Sequence, residues 1–307
     1  MHVAFTQVLR FNKRINSVHT IKNKNFQVSV KKKGAELCSF KSLTSNIEYI
    51  WTADPKVWAS HAPNLFPIIG CLKEDSFLYK GKEYACPKHG FIRNNDNVSL
   101  LSKTKTSLAF GLKYSEDTLN VYPFQFEFQI KYTLDGDKLI IEHTIMNHGD
   151  DTMLFSLGGH PGFNCPIHQE EQYSDHYLEF EKPETAPTWN VLENGLIGKE
   201  TQAVFDEPNI IKLHPQIFDK DALVLKNLNS SKVTLKSKIS GGILSIEFKD
   251  FPYLGIWAKP KANYVCIEPW LGIADSIDSN RNFEDKEGVV KLKPKSNFIA
   301  SYSVTIL

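Results

Sequence analysis

Tyr122, Phe124, Phe126, Phe128, Ile130, Tyr132 and Leu134 alternate with Gln125, Glu127, Gln129, Lys131 and Thr133. A period of two sustained over that length predicts a strand with one face buried. Asp135-Gly136-Asp137 then supplies a turn, and residues 138–146 return rich in β-branched side chains, so the pair reads as a long hairpin. Shorter runs of the same kind, at 26–30, 47–51, 232–236, 243–248, 254–258, 264–268 and 298–306, are predicted strands separated by clusters of Gly, Pro, Asn and Asp. No strong helical period interrupts them. Many strands without intervening helices predict an all-β antiparallel sandwich rather than alternating βαβ units. Residues 169–200 are polar and weakly patterned, and read as loops around the open face.

Composition narrows the function classes. The chain has 307 residues, enough for one large all-β domain, and no Pro/Gly/Ser linker divides it. A net charge of +1 with 23% charged residues gives no field suited to nucleic acid or an acidic membrane, and no stretch approaches the length of an apolar membrane span. The expected partner is a small molecule. Five cysteines, odd in number and without a CxxC pair, argue against a disulfide framework or a cysteine zinc site and for a reduced, cytoplasmic protein. The first 33 residues carry eight Lys/Arg and no acidic residue but only a short, interrupted apolar run, a poor secretory signal. Residues 1–21 are expected to be an extension, with one domain over 22–307. A homodimer is compatible with such a fold, and no segment is singled out for it.

Three segments combine ionisable side chains with turn residues beside apolar runs: Lys88-His89-Gly90-Phe91-Ile92-Arg93, Gly158-Gly159-His160-Pro161-Gly162-Phe163-Asn164, and Cys266-Ile267-Glu268-Pro269-Trp270-Leu271-Gly272. Taken locally, Glu268 is either a site carboxylate at a strand end that Pro269 terminates or an exposed rim residue. His160 is either an acid held in a flexible loop or a hydrogen-bonded turn residue. Those segments, with Pro63-Asn64-Leu65-Phe66-Pro67-Ile68-Ile69-Gly70 and Phe251-Pro252-Tyr253-Leu254-Gly255-Ile256-Trp257, make the chain resemble the aldose 1-epimerase (mutarotase) family, in a divergent branch. The resemblance runs from about Lys22 onward. It implies a galactose mutarotase-like β-supersandwich and a reaction that needs no metal and no other cofactor: the ring of a hexose opens to the aldehyde and closes on the other face.

By that resemblance Glu268 is the base and His160 the acid, with His89 polarising the substrate and Asp221 binding its hydroxyls. A histidine acid implies a rate that falls as pH rises through its pKa. The glycines beside His160 are expected to let the backbone approach the sugar. Trp270 is a candidate stacking surface, and Trp257 is equally a core residue. The pattern departs from the family at Cys71, where an arginine normally grips the sugar; Lys73 or Arg93 is expected to take over part of that role. Arg93 also fits the hexose-6-phosphate branch. The readings are therefore an aldose 1-epimerase acting on a free hexose, a hexose-phosphate 1-epimerase, and a sugar-binding or regulatory protein without turnover. A glycosidase using Asp221 and Glu268 is disfavoured, because it leaves both histidines without a purpose.

Overall fold

The long alternation is realised as strands Phe126–Asp135 and Lys138–Asn147, with Leu134 facing Leu139 and Tyr132 facing Ile141. Phe126, Phe128, Ile130, Tyr132 and Leu134 are all buried, and Gly136 supplies the positive φ (61°) of the two-residue turn. Tyr122 and Phe124 are buried as well but precede the strand, following a short helix, Glu116–Val121, that Ser115 caps. The structure is a computed structural model that describes residues 17–307.

The hairpin belongs to a nine-stranded sheet in the order Ile210–Lys212, His176–Phe180, Lys232–Ser237, Gly241–Glu247, Asn297–Ile306, Lys138–Asn147, Phe126–Asp135, Ser107–Lys113, Ser99–Lys103. Its middle strand is thus the last in sequence. A second sheet runs Ile197–Gln202, Thr188–Val191, Leu223–Lys226, Tyr253–Trp257, Tyr264–Leu271, Leu157–Gly159, Asn64–Leu65, with Gly162–Asn164 also pairing to Tyr264–Leu271. Every strand pairing in both sheets is antiparallel. Phe66, just after Asn64–Leu65, packs at ring-centroid distances of 5.3 and 5.5 Å on Phe126 and Phe128 of the facing sheet. Burying an aromatic ring of this kind contributes about 1.5–3 kcal/mol, so this one contact helps fix the two sheets face to face.

Four expectations change. The Tyr264–Leu271 strand does not stop at Pro269. Ile267 donates its N–H to the Pro161 carbonyl (3.2 Å), and alternation puts the Pro269 nitrogen on the same edge, opposite the gap between Leu157–Gly159 and Gly162–Asn164. A residue without an N–H fits there because no ladder bond is lost. Residues 47–51 form isolated bridges rather than a strand, since the Glu48 carboxylate accepts the N–H groups of Phe40 (2.8 Å) and Ile50 (3.0 Å) in place of a ladder. The 169–200 segment contains strands His176–Phe180 and Thr188–Val191; its pattern is masked because the buried His176 is polar, its Nδ1–H donating to the Gln172 carbonyl (2.9 Å) and its Nε2 lying 3.0 Å from buried Glu171. Sheet structure also begins before residue 22, with Val18–Lys22 pairing to Phe26–Lys31; residues 1–16 of the expected extension lie outside the described residues.

Candidate active site

Glu268 projects from a strand hydrogen-bonded on both sides, and only 1% of its side chain is exposed. His160 reaches it from the gap between the two short neighbouring strands, with Nδ1 3.3 Å from Oε2 of the carboxyl. The contact lacks good hydrogen-bond alignment on either atom. Burial drives the Glu268 carboxyl well above its ordinary pKa, although Lys88 and the Trp270 indole pull it back. Burial likewise drives the His160 imidazole down, to about 3, with Arg93 adding to the effect. Both shifts oppose charge. A misaligned contact at 3.3 Å offsets little of the desolvation, so burial favours the neutral form of each group. Groups this close titrate as a pair rather than singly.

Packing requires the glycines before His160. A Cβ on Gly159 would collide with the Tyr302 hydroxyl from the opposite sheet, and one on Gly158 would lie 2.7 Å from the Pro269 carbonyl oxygen and 2.8 Å from the Trp270 ring. They let the strand sink onto its own neighbours. His160 is placed by what remains above it: the Trp58 ring stacks on the imidazole at 5.0 Å and 29°, and the Trp257 ring meets it edge-on at 5.7 Å. The Trp51 indole N–H donates to the Trp58 carbonyl (2.9 Å) and fixes that loop.

His89 sits in a left-handed turn (φ 65°) clamped to Gly70 at both ends. Its own N–H donates to the Gly70 carbonyl (2.9 Å), and the Gly70 N–H donates to its Nδ1 (3.1 Å). The second bond requires Nδ1 to be the acceptor, so the proton of the neutral ring is on Nε2. Burial, with His160, Lys88 and Arg93 nearby, holds this imidazole well below its usual pKa. It is a fixed neutral donor.

These groups line a cavity of about 310 Å3, at the small end of the roughly 300–1,000 Å3 typical of ligand sites. Asp221 stands exposed at its edge with φ 76°, one carboxylate oxygen accepting the Ala222 N–H (2.7 Å). Trp270 forms part of the floor beside Ile69, Ile197 and Val224, and Trp257 also lines the cavity. Arg93 lines it half-buried, its pKa lowered by burial, without a carboxylate partner among the described residues. Lys73 is not brought in, since its ammonium donates to the Ser279 carbonyl (3.0 Å) and its N–H to Asp275 (3.0 Å). Cys71 is half-buried against Gly195 and does not line the cavity.

Sequence reasoning missed Trp58, Lys88 and Lys259, all of which line the cavity. Lys88 had a signal, adjacency to His89. Trp58 had none, because it lies in an irregular loop between strands. Behind the cavity Lys286 and Asp275 form a buried ion pair at 2.6 Å. The Asp275 N–H donates to the Cys71 carbonyl (2.9 Å), tying this pair to the segment that carries Gly70.

Comparison with known proteins places the chain in a family. Residues 17–282 match the family model described as aldose 1-epimerase. The chain is 34% identical over 296 residues to the plasmid-encoded protein LacX of Lactococcus lactis subsp. lactis, covering 94% of this chain and 98% of that one. It is 37% identical to a galactose mutarotase related enzyme from Lactobacillus acidophilus, with a TM-score of 0.88 over 95% of this chain and 97% of the other. A galactose mutarotase-like protein from Lactobacillus casei superposes with a TM-score of 0.89 at 28% identity, over 95% and 100% of the two chains. With the family match spanning both histidine segments and Glu268 on a mutarotase-like β-sandwich, the chain belongs to the aldose 1-epimerase family.

Proposed function

We propose that this protein is an aldose 1-epimerase in which Glu268 and His160 carry out the two proton transfers of ring opening. The observation that carries the reading is the buried carboxyl–imidazole pair, 3.3 Å apart, on the wall of a cavity that also holds His89 and Asp221. The resting pair holds one proton. Sugar hydroxyls entering the cavity solvate the carboxylate and so favour moving that proton to the imidazole. Glu268 then removes the anomeric hydroxyl proton while His160 protonates the ring oxygen, the C1–O5 bond breaks, and the aldehyde forms. Rotation about C1–C2 and the reverse transfers give the other anomer and restore the pair. Neutral His89 donates Nε2–H to a substrate oxygen without competing for the proton, and Asp221 accepts from hydroxyls at the rim.

A specific observation favours a phosphorylated aldose as a second reading. Lys88, Arg93 and Lys259 all line the cavity, and none has a carboxylate within ion-pair distance among the described residues. Three uncompensated cations suit a phosphate better than a hydroxyl. The test is anomer exchange, by polarimetry or NMR, on fresh α-D-glucose, α-D-galactose and glucose 6-phosphate, with wild type, Glu268→Gln and His160→Asn. Acceleration that both variants lose supports the epimerase, and the best substrate chooses between the two readings. A folded protein that accelerates none of them overturns the assignment in favour of a binding protein.

A further inference from the structure

Cys266 takes no part in the proton transfers above, yet it lies among the groups that do. It is two residues before Glu268 on the same strand, so both side chains leave the same face of the sheet. His160 comes to that face from the gap beside the strand. One donor atom from each of the three lies within 4.8 Å of the other two, and all three residues are buried. Two of the fully buried atoms here, His160 Nδ1 and Glu268 Oε2, have no hydrogen bond of good geometry. The cluster is therefore three donors of different chemistry closing on one point at the cavity wall.

We propose that Cys266, His160 and Glu268 form a site for a thiophilic divalent cation of the Zn2+ or Cd2+ kind, and that the bound ion blocks the active site. The donor set is sulfur, nitrogen and oxygen, which suits zinc; a thiolate ligand selects against Mg2+ and Ca2+. Metal–donor bonds of about 2.0–2.3 Å in a tetrahedron put donors roughly 3.3–3.7 Å apart. The observed limit of 4.8 Å therefore closes by about 1.5 Å at most, within reach of side-chain rotation. On binding, the thiol proton and the proton shared by His160 and Glu268 pass to solvent, leaving thiolate, carboxylate and neutral imidazole around the dication. The charges then cancel. Lys88, felt by both Glu268 and His160, and Arg93, felt by His160, are the cations that oppose the metal; the Lys88 side chain is exposed and can turn to solvent, and the half-buried Arg93 stays as the remaining opposing charge. With three protein ligands in place, the fourth position faces the cavity and can hold water or a substrate oxygen.

The blocking half of the proposal rests on the epimerase reading, because the ion occupies the donor atoms that would otherwise move protons. The metal-binding half does not, and the experiment separates them. Co2+ is titrated into the full chain while the thiolate-to-cobalt charge-transfer band is followed, and Zn2+ inhibition of anomer exchange is measured in parallel. Wild type should bind one equivalent with a charge-transfer band. Cys266→Ser and Cys266→Ala should lose the band and weaken binding by more than the roughly 10–100-fold that disturbing a ligand's hydrogen-bond partner costs. The Zn2+ concentration for half-inhibition should rise by the same factor. Cys71→Ser, with its half-buried thiol outside the cavity, should leave the spectrum unchanged. Should neither Cys266 variant fold, Glu268→Gln supplies the same loss of affinity. No band in wild type, or a band that survives removal of Cys266, overturns the site. Equal Zn2+ inhibition of wild type and the Cys266 variants overturns the blocking role.

Discussion

Replacing Glu268 by Gln should cut turnover by about 10²–10⁴-fold and at the same time stabilise the protein at neutral pH. The amide keeps the size of the carboxyl, and its NH2 can donate to His160 Nδ1 across the existing 3.3 Å contact. Loss of an acid–base group of this kind costs about 10²–10⁴-fold in rate, or about 2.7–5.4 kcal/mol of transition-state stabilisation. The stability effect follows from proton counting. Burial raises the folded carboxyl above its unfolded pKa, so between those two values the native state holds a proton that the unfolded carboxyl has lost. Native stability is therefore complete below the unfolded value near 4.5 and declines as pH rises toward the folded one. One proton corresponds to about 1.4 kcal/mol per pH unit. His160, neutral in the fold down to about pH 3, contributes in the opposite sense below the unfolded histidine pKa, and does so in both proteins. The difference between variant and wild type isolates the carboxyl. Urea unfolding at half-unit steps from pH 5 to 8 should show the variant gaining on wild type at about 1.4 kcal/mol per unit until the raised pKa is reached. A difference independent of pH would refute the placement of the shared proton on Glu268, and a variant that keeps the wild-type rate would refute its part in the proton transfers.

Three further outcomes are expected. Lys286→Met should cost about 3–5 kcal/mol by leaving Asp275 buried and unpaired, and Lys286→Met with Asp275→Leu should recover much of it in the same unfolding assay; strictly additive losses would deny the coupling. Gly159→Ala should destabilise by about 1–3 kcal/mol and depress turnover through displacement of His160, with Tyr302→Phe in the same chain returning part of both losses once the hydroxyl is gone. For wild type, the rate of exchange should be lost on the alkaline side as the pair gives up its proton and on the acid side only near pH 3, as His160 takes a second one; a fall centred near 6.5 would restore an ordinary histidine acid.

Much of this was legible in the chain because the signals were local. The 122–134 alternation predicted its strand, and the segments around His89, His160 and Glu268 marked the residues that the fold brings together. What was not legible depended on residues distant in sequence. The purpose of Gly158 and Gly159 is set by Trp270, Pro269 and Tyr302, more than a hundred positions away. The tolerance of Pro269 inside a strand depends on a gap between two other strands. Lys73 and Arg93 were equivalent candidates by charge alone, and only the Ser279 carbonyl removes one of them. The direction of the His160 shift is likewise a property of burial, which composition does not report.

The place of Asn297–Ile306 at the centre of the nine-stranded sheet has a consequence for how the protein is made. During synthesis the segment bearing His160 emerges long before the one bearing Glu268, and the strand that joins the two halves of the larger sheet emerges after both. Until it docks, Lys138–Asn147 and Gly241–Glu247 each present a long unpaired edge, a template for association with other chains. Completing the larger sheet thereby depends on pairings distant in sequence, which give the fold a high contact order. Lesions in this strand that leave Tyr302 in place should appear first as aggregation during expression.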